Sequence, residues 1–326
     1  MADLGRFQRV LVTGATGFLA GHVVAELTRR GIDIVAVGRN EAKLAGLGCA
    51  VLKHDISRPF SSNDVPDIDA IVHCAALSAP FGSRKDFMAA NVDGTGNLLD
   101  LAGKKQVQRV VHVSTPSVYF SYQDQLDIAE NHPLPPPVNH YAQTKAMAED
   151  MVMQQLGHHS IILRPRGIYG PGDTALLPRV LQAANQRPLP LLRGGQAAID
   201  LTYVSDVVDA IITALAAPDD ACGEAYNVSG GEMLPVRAIV DQACQRAGIT
   251  PRWRKVPLRV AMGVAAASET IAAWRKGAPE PAITRYGLGL FAYRQSLDIH
   301  KARTHLGWSP KVRFKEGLAR TFEGMS

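Results

Sequence analysis

Cysteine is scarce in this chain of 326 residues, and its four copies, Cys49, Cys74, Cys222 and Cys244, form neither a CxxC pair nor a Cys/His ligand spacing. That argues against a disulfide framework and against a structural zinc site, and no metal is expected. A dominant charge is also missing. Lys+Arg 35 against Asp+Glu 30 gives +5, spread along the chain. Short basic groups occur near 252–259 but no sustained run does, so nucleic-acid binding is not expected, while phosphate-bearing small molecules remain compatible. No clean span of about 20 apolar residues exists. The most apolar later stretch, Val256 to Trp274, is interrupted by Arg259, Ser268 and Glu269, so stable membrane insertion is not expected. The first ten residues mix Asp3, Arg6 and Arg9 with apolar residues, unlike a secretory signal. These absences predict a reducing, cytoplasmic setting. Internal repeats and low-complexity tracts are lacking too, and Pro133–Pro137 is a short stiff loop.

What is present is an ordinary globular composition, 46% hydrophobic and 20% charged, long enough for about two domains. Buried β-branched runs at 10–13, 32–37, 70–74, 110–114 and 160–163 alternate with helical periodicity at 18–30, 86–105 and 141–157. Such alternation predicts an α/β fold with a doubly wound parallel sheet, its functional residues at the carboxyl ends of the strands. After Arg164-Pro165 the texture becomes Pro/Gly-rich. A strand at 199–204, a helix at 206–217, a strand at 225–228 and helices at 235–247, 256–275 and 298–306 follow. The predicted division is a Rossmann domain over 1–165, to which 196–229 returns, with 166–195 and 230–326 forming a smaller C-terminal α+β substrate lobe.

Strand 10–13 runs into Gly14-x-x-Gly17-x-x-Ala20 and then a helix. Glycine permits the tight turn and the approach of backbone N–H groups to a pyrophosphate, which the helix dipole also favours. Gly14, Thr16, Gly17, Phe18 and Leu19 are therefore candidate cofactor contacts. The second strand ends in Val37-Gly38-Arg39. An acidic residue that would bind the ribose 2′-OH is absent, and Arg39 offers a fork suited to a 2′-phosphate, so NADP is expected, with NAD possible. Asp55 and Ile56 follow the third strand and are placed to meet the adenine edge, though Asp55 suits a turn equally well. Ala75 and Ala76 end the fourth strand with small side chains, as backbone beside a dinucleotide requires; His73 reads as a packed histidine. Thr115 ends the fifth strand, and Tyr141-x-x-x-Lys145 opens a helix, where i and i+4 share a face. An ammonium reinforced by a cationic nicotinamide favours the phenolate, so Tyr141 can exchange a proton with an alcohol or carbonyl near neutral pH.

In TGATGFLAG (13–21), NVDGTGNLL (91–99), VSTPSVY (113–119), Tyr141-x-x-x-Lys145 and RPRGIYGPGD (164–173), the chain resembles the extended short-chain dehydrogenase/reductases, the NAD(P)-dependent epimerase/dehydratase superfamily, over nearly its whole length. The resemblance implies a Thr115/Tyr141/Lys145 catalytic set, with Asn91, Pro165, Gly167 and Ile168 added to the cofactor contacts. It also implies a homodimer formed through the helices at 86–105 and 141–157. Pro116-Ser117 stands where dehydratases carry Asp-Glu, and Gly167 where sugar-nucleotide epimerases commonly carry Asn. The runs at 164–173, 199–210, 223–232 and 284–293 look instead like the 3β-hydroxysteroid dehydrogenase-like branch. The expected function is NADP(H)-dependent interconversion of a ketone and a secondary alcohol on a bulky, hydrophobic substrate, with Val256–Trp274 and Tyr286–Tyr293 as an apolar lining. Arg166, Arg179 and Arg193 could meet a substrate anion or face water, and Asn91 could extend a proton relay or only fix helix geometry. The alternatives are a sugar-nucleotide epimerase with tightly held NAD and a non-catalytic NADP-binding regulatory module.

Overall fold

Strand β1 (Arg9–Thr13) buries Val10, Leu11 and Val12 completely. That is the burial expected of a parallel strand covered on both faces. The computed structural model describes residues 4–275 and 277–323. From β1 the chain alternates through α1 (Phe18–Arg29), β2 (Asp33–Gly38), β3 (Ala50–Lys53), β4 (Ala70–His73), α2 (Gly94–Lys104), β5 (Arg109–Val113), α3 (His140–Leu156), β6 (Ser160–Pro165), α4 (Val204–Ala216) and β7 (Glu224–Val228). The strands form a seven-stranded sheet in the order β7-β6-β5-β4-β1-β2-β3. Every pairing in it is parallel. The doubly wound α/β expectation holds. The order reverses between β1 and β4, which opens a crevice at their carboxyl ends.

The period-2 alternation of the strands sorts the core into two layers. Val10 and Val12 meet Val23, Val24 and Leu27 of α1 and Val207, Ile211 and Leu215 of α4. Leu11, Val35, Val37, Ile71 and Val110 face the other way, onto Leu98, Leu101 and Ala102 of α2. A smaller four-stranded sheet orders the segments 233–235, 198–200, 295–297 and 125–128. Helices α5 (Leu258–Trp274) and α6 (Arg285–Leu290) come between its 233–235 and 295–297 segments in the chain. Buried Trp308 ties the C-terminal part to α4, its indole N–H donating to the Asp206 carbonyl at 3.1 Å.

Two expectations needed correction. The helix over 86–105 is interrupted by a π-helical turn, Met88–Asp93, between Arg84–Phe87 and α2. There the Asn91 amide is drawn to Leu77 and Thr144, and the Thr95 hydroxyl to the Asn91 carbonyl. The strand over 199–204 splits at Leu201. Asp200 pairs with Met233 in the small sheet, Thr202 turns to pair with Ile168, and α4 begins at Val204.

Candidate active site

The turn after β1 is built for close approach. Gly14 has φ +68°, and a Cβ there would stand 2.9 Å from the Ala75 Cα. The Thr13 hydroxyl accepts from the Ala75 N–H at 3.2 Å and pairs with His73 Nδ1 at 2.7 Å. His73 also meets Thr95 at 3.1 Å. Burial, with help from the Lys145 charge, pushes it down to about 3, so it is a neutral, packed histidine. Gly17 begins α1 with no side-chain cap and no acid in the first turn. The positive pole of α1 therefore opens to the crevice unneutralised. Thr16 lies against Gly38, and Phe18 stands edge-on to His22. Phe18 and Leu19 also pack on the cluster around Tyr169.

Arg39 is exposed at the end of β2. Burial raises the Asp55 carboxyl, but hydrogen bonds from Ser57 and the charges of Arg39 and Arg58 outweigh it and hold the group low. Ser57 donates to it from its N–H and its hydroxyl, at 3.1 and 2.9 Å. Ile56 accepts from Asn97 and packs on Gly94. A cradle that a Cβ would fill, an uncapped helix pole and a cation at the ribose end of the crevice fit a dinucleotide phosphate chain.

Beside that crevice, Thr115 follows β5 and caps the short turn Pro116–Tyr119. Its hydroxyl meets the Ser117 hydroxyl at 3.0 Å, and Ser117 meets the Tyr286 hydroxyl from α6 at 2.7 Å. Asn139 caps α3 through the Ala142 N–H at 2.8 Å, which presents Tyr141 in the first turn. The Tyr141 phenol lies within reach of the Ser78 and Thr115 hydroxyls, which act to lower it. Bonded hydroxyls therefore run from Thr115 through Ser117 to Tyr286, with the Tyr141 phenol and Ser78 beside them. One turn beyond Tyr141, Lys145 is 2% exposed. Its Nζ donates to the Val113 carbonyl at 2.8 Å and to His112 Nε2 at 3.1 Å. Burial pulls the Lys145 ammonium down to about 8, against the Glu149 carboxylate one turn further along. An ammonium has donors only, so His112 must carry its proton on Nδ1. That atom is buried and has no partner among the described residues.

The expectation that the Lys145 ammonium lowers the Tyr141 phenol is not met by the chain's own groups. Burial raises the phenol above its ordinary value, Ser78 and Thr115 oppose this through hydrogen bonds, and Tyr286 adds to it. The Lys145 charge is directed to Val113 and His112.

Asn91 is buried, with Oδ1 accepting from the Leu77 N–H at 2.7 Å and Nδ2 donating to Leu77 O and Thr144 Oγ1 at 3.2 and 3.0 Å. It clamps the loop after β4, which carries Ala75 and Ala76, onto α3. Pro165 ends β6. Gly167, at φ +50°, admits the Leu201 side chain where a Cβ would collide, and Ile168 pairs with Thr202. Each of the three arginines offered as anion readers already holds a carboxylate. Arg166 is buried on Asp200 at 3.3 Å and on Gln295, Arg193 reaches Asp124 at 2.6 Å, and Arg179 reaches Glu280 at 2.9 Å.

Helix α5 is also not the apolar lining expected. It buries Ala261, Ala265 and Ala272 but turns Val260, Val264, Ile271 and Trp274 outward. Aromatic rings gather instead around Tyr286, with Phe120 at 5.0 Å, and Tyr122 stands 6.5 Å from Tyr293. Sequence reasoning missed Ser78, His112 and Ser117, and expected of Tyr286 only a place in an apolar lining. Ser117 carried a weak signal as a hydroxyl two residues after Thr115. The bond of Tyr286 to Ser117 carried none, the two being 169 residues apart.

A doubly wound sheet with a glycine cradle at its switch point and a Tyr/Lys pair at the end of β5 defines a dinucleotide-dependent enzyme. Residues 10–229 match the NAD dependent epimerase/dehydratase family, and the chain belongs to it. The 2-alkyl-3-oxoalkanoate reductase of Stenotrophomonas maltophilia (strain K279a) is 31% identical, over 96% of this chain and 98% of that protein. The decarboxylating sterol-4-alpha-carboxylate 3-dehydrogenase erg26 of Schizosaccharomyces pombe is 28% identical, over 97% of both. Among solved structures, UDP-glucuronic acid 4-epimerase from Bacillus cereus in complex with NAD superposes with a TM-score of 0.75 at 22% identity, over 97% of this chain and 98% of that one. That likeness concerns the fold. Reductase and dehydrogenase relatives across the whole length place the chain among the NAD(P)-dependent oxidoreductases.

Proposed function

We propose that this protein is an NADP(H)-dependent ketoreductase acting on a bulky, hydrophobic ketone, with residues 1–165 and 196–229 holding the dinucleotide and the remainder forming the substrate lobe. The observation that carries this reading is the Tyr141 phenol, beside Thr115 and Ser78 at the end of β5 with Lys145 one turn on. When bound, the nicotinamide supplies the hydride chemistry. Gly14, Thr16, Gly17, Phe18 and Leu19 would take the phosphates, and Asp55, Ile56, Ala75, Ala76 and Asn91 would line the crevice. Pro165, Gly167 and Ile168 would close its far side. Exposed Arg39, in place of an acid, supports the phosphorylated dinucleotide over NAD.

Tyr141 gives its proton to the substrate oxygen while Thr115 holds that oxygen. Burial keeps the phenol protonated at neutral pH, the state a proton donor needs. Ser78, exposed to water and beside Tyr141, can return the proton. Lys145 holds the ribose side of the crevice. The aromatic group Phe120, Tyr122, Tyr286 and Tyr293 favours an apolar substrate, as do relatives named for alkylated oxoalkanoates and sterols.

The test is consumption of NADPH and of NADH with lipidic ketones. NADPH should be bound more tightly and oxidised. Tyr141→Phe should cost about 10²–10⁴ in turnover with cofactor affinity nearly intact. A fully active Phe variant overturns the mechanism, and preference for NADH overturns the role of Arg39. Tightly held cofactor with no net consumption would favour a sugar-nucleotide epimerase.

A further inference from the structure

One side of α5 has no partner among the described residues. Its alanines pack against Leu192, Leu288 and Ala292, while Val260, Val264, Ile271 and Trp274 are 58, 56, 58 and 86% exposed. At 100° per residue these four fall, with Gly263 and Ala267, in a single stripe. They are four of the eight large hydrophobics exposed among the described residues, so the apolar surface is concentrated here. The charge around the stripe has one sign. Arg252, Arg254 and Lys255 precede the helix, Arg259 lies in its first turn and Arg275 follows it, all exposed. None of the five has an ion-pair partner among the described residues. The only acid of α5, Glu269, is held by Arg285 at 2.7 Å. Cations at a helix N-terminus oppose its dipole, so Arg259 and the basic residues before it do not serve the stability of α5.

We infer that α5 docks the protein on the surface of an anionic lipid membrane. The apolar stripe would enter the acyl boundary, the basic ends would meet the headgroups, and Trp274 would sit at the interface. The helix has 17 residues, and no helix among the described residues is long and apolar enough to cross a membrane, so it lies on the surface. A second copy of α5 fits worse. An antiparallel pair would bring Arg259 against Arg275, and a parallel pair would set like against like at both ends.

The docked helix is one layer from the chemistry. Glu269 accepts from the Arg285 backbone N–H at 2.7 Å, and the next residue, Tyr286, bonds to Ser117. An apolar ketone could then pass from lipid to the site without crossing water. That consequence rests on the ketoreductase reading; the docking itself does not.

The test is co-sedimentation of the full-length protein with vesicles of phosphatidylcholine alone or with added phosphatidylglycerol. Binding should require the anionic lipid, weaken in high salt and blue-shift tryptophan emission, a shift absent in Trp274→Phe. Val264→Asp/Ile271→Asp should lower binding about tenfold or more, and Arg254→Glu/Lys255→Glu should remove the anionic preference. Both variants should reduce a small water-soluble ketone as the wild type does, which also shows that they fold. Absence of wild-type binding to the anionic vesicles, or binding untouched by the Asp pair, overturns the proposal. So does a wild-type dimer that the Asp pair breaks while vesicles are ignored. Binding with no ketone reduction by the wild type would instead sink the ketoreductase reading alone.

Discussion

Lys145 is a cation held where water is nearly absent, with a carbonyl and a neutral histidine as its hydrogen-bond partners. The folded chain releases the Lys145 proton at about 8, whereas the ordinary value is 10.5. Below pH 8 both the folded and the unfolded chain keep this proton, and the burial penalty is fully present. Between pH 8 and 10.5 unfolding takes up a proton, so rising pH relieves the penalty and stabilises the fold. Lys145→Met should therefore stabilise the fold at pH 7, by on the order of 1–2 kcal/mol after its lost hydrogen bonds are counted, and raise the thermal midpoint. The gain should shrink as pH approaches 10.5, and activity should fall. Thermal unfolding of both proteins across that range checks the sign; a destabilised variant at pH 7 would contradict it. The Tyr141/Lys145 pair was legible because its members are four residues apart. His112 was not, because an alternating strand residue looks the same whether it packs or accepts.

At the scale of elements, α3 is fastened to β6 by one buried ion pair. Arg164 donates to both Glu149 oxygens, at 3.0 and 2.5 Å, and also to the Tyr119 hydroxyl. Tyr119 in turn reaches Asn227 on β7 at 3.2 Å. Removing one partner leaves the other charge buried and alone, which costs far more than the pair contributes. Glu149→Gln should lose about 3 kcal/mol in urea unfolding, while Glu149→Leu/Arg164→Met should recover much of it. The single variant also takes away the carboxylate that supports the Lys145 charge, so the Lys145 titration should move to lower pH. A silent Glu149→Gln would show that this pair does not hold α3 in place. The ends of α1 and α3 were readable from local spacing to within a residue or two. The π-helical turn at Met88–Asp93 was not, because the groups that draw Asn91 aside, Leu77 and Thr144, come from outside the helix.

For the whole molecule, we expect two copies to pair through the faces of 84–104 and α3. There Met147 and Met151 are half-buried, and the Met151 methyl lies against Gly96. Sedimentation should report about twice the 35.0 kDa of one chain. Met147→Asp should give monomers, and a monomeric wild type would remove this pairing. The α5 variants should leave it intact, since α5 belongs to another part of the chain.

The sequence by itself determined the strand–helix alternation, the glycine turn after β1, the Tyr141/Lys145 face and the replacement of an acid by Gly38-Arg39. Each depends on residues within one turn or one strand of each other, where stereochemistry acts through local spacing. Only the tertiary structure decided that Tyr286 meets Ser117, that Arg166 is closed onto Asp200 and Gln295, and which side of α5 faces out. Those partners lie up to 169 residues apart. Tertiary packing of the later segments against the ends of β5 and β6 brings them together, and no periodicity in the chain encodes that.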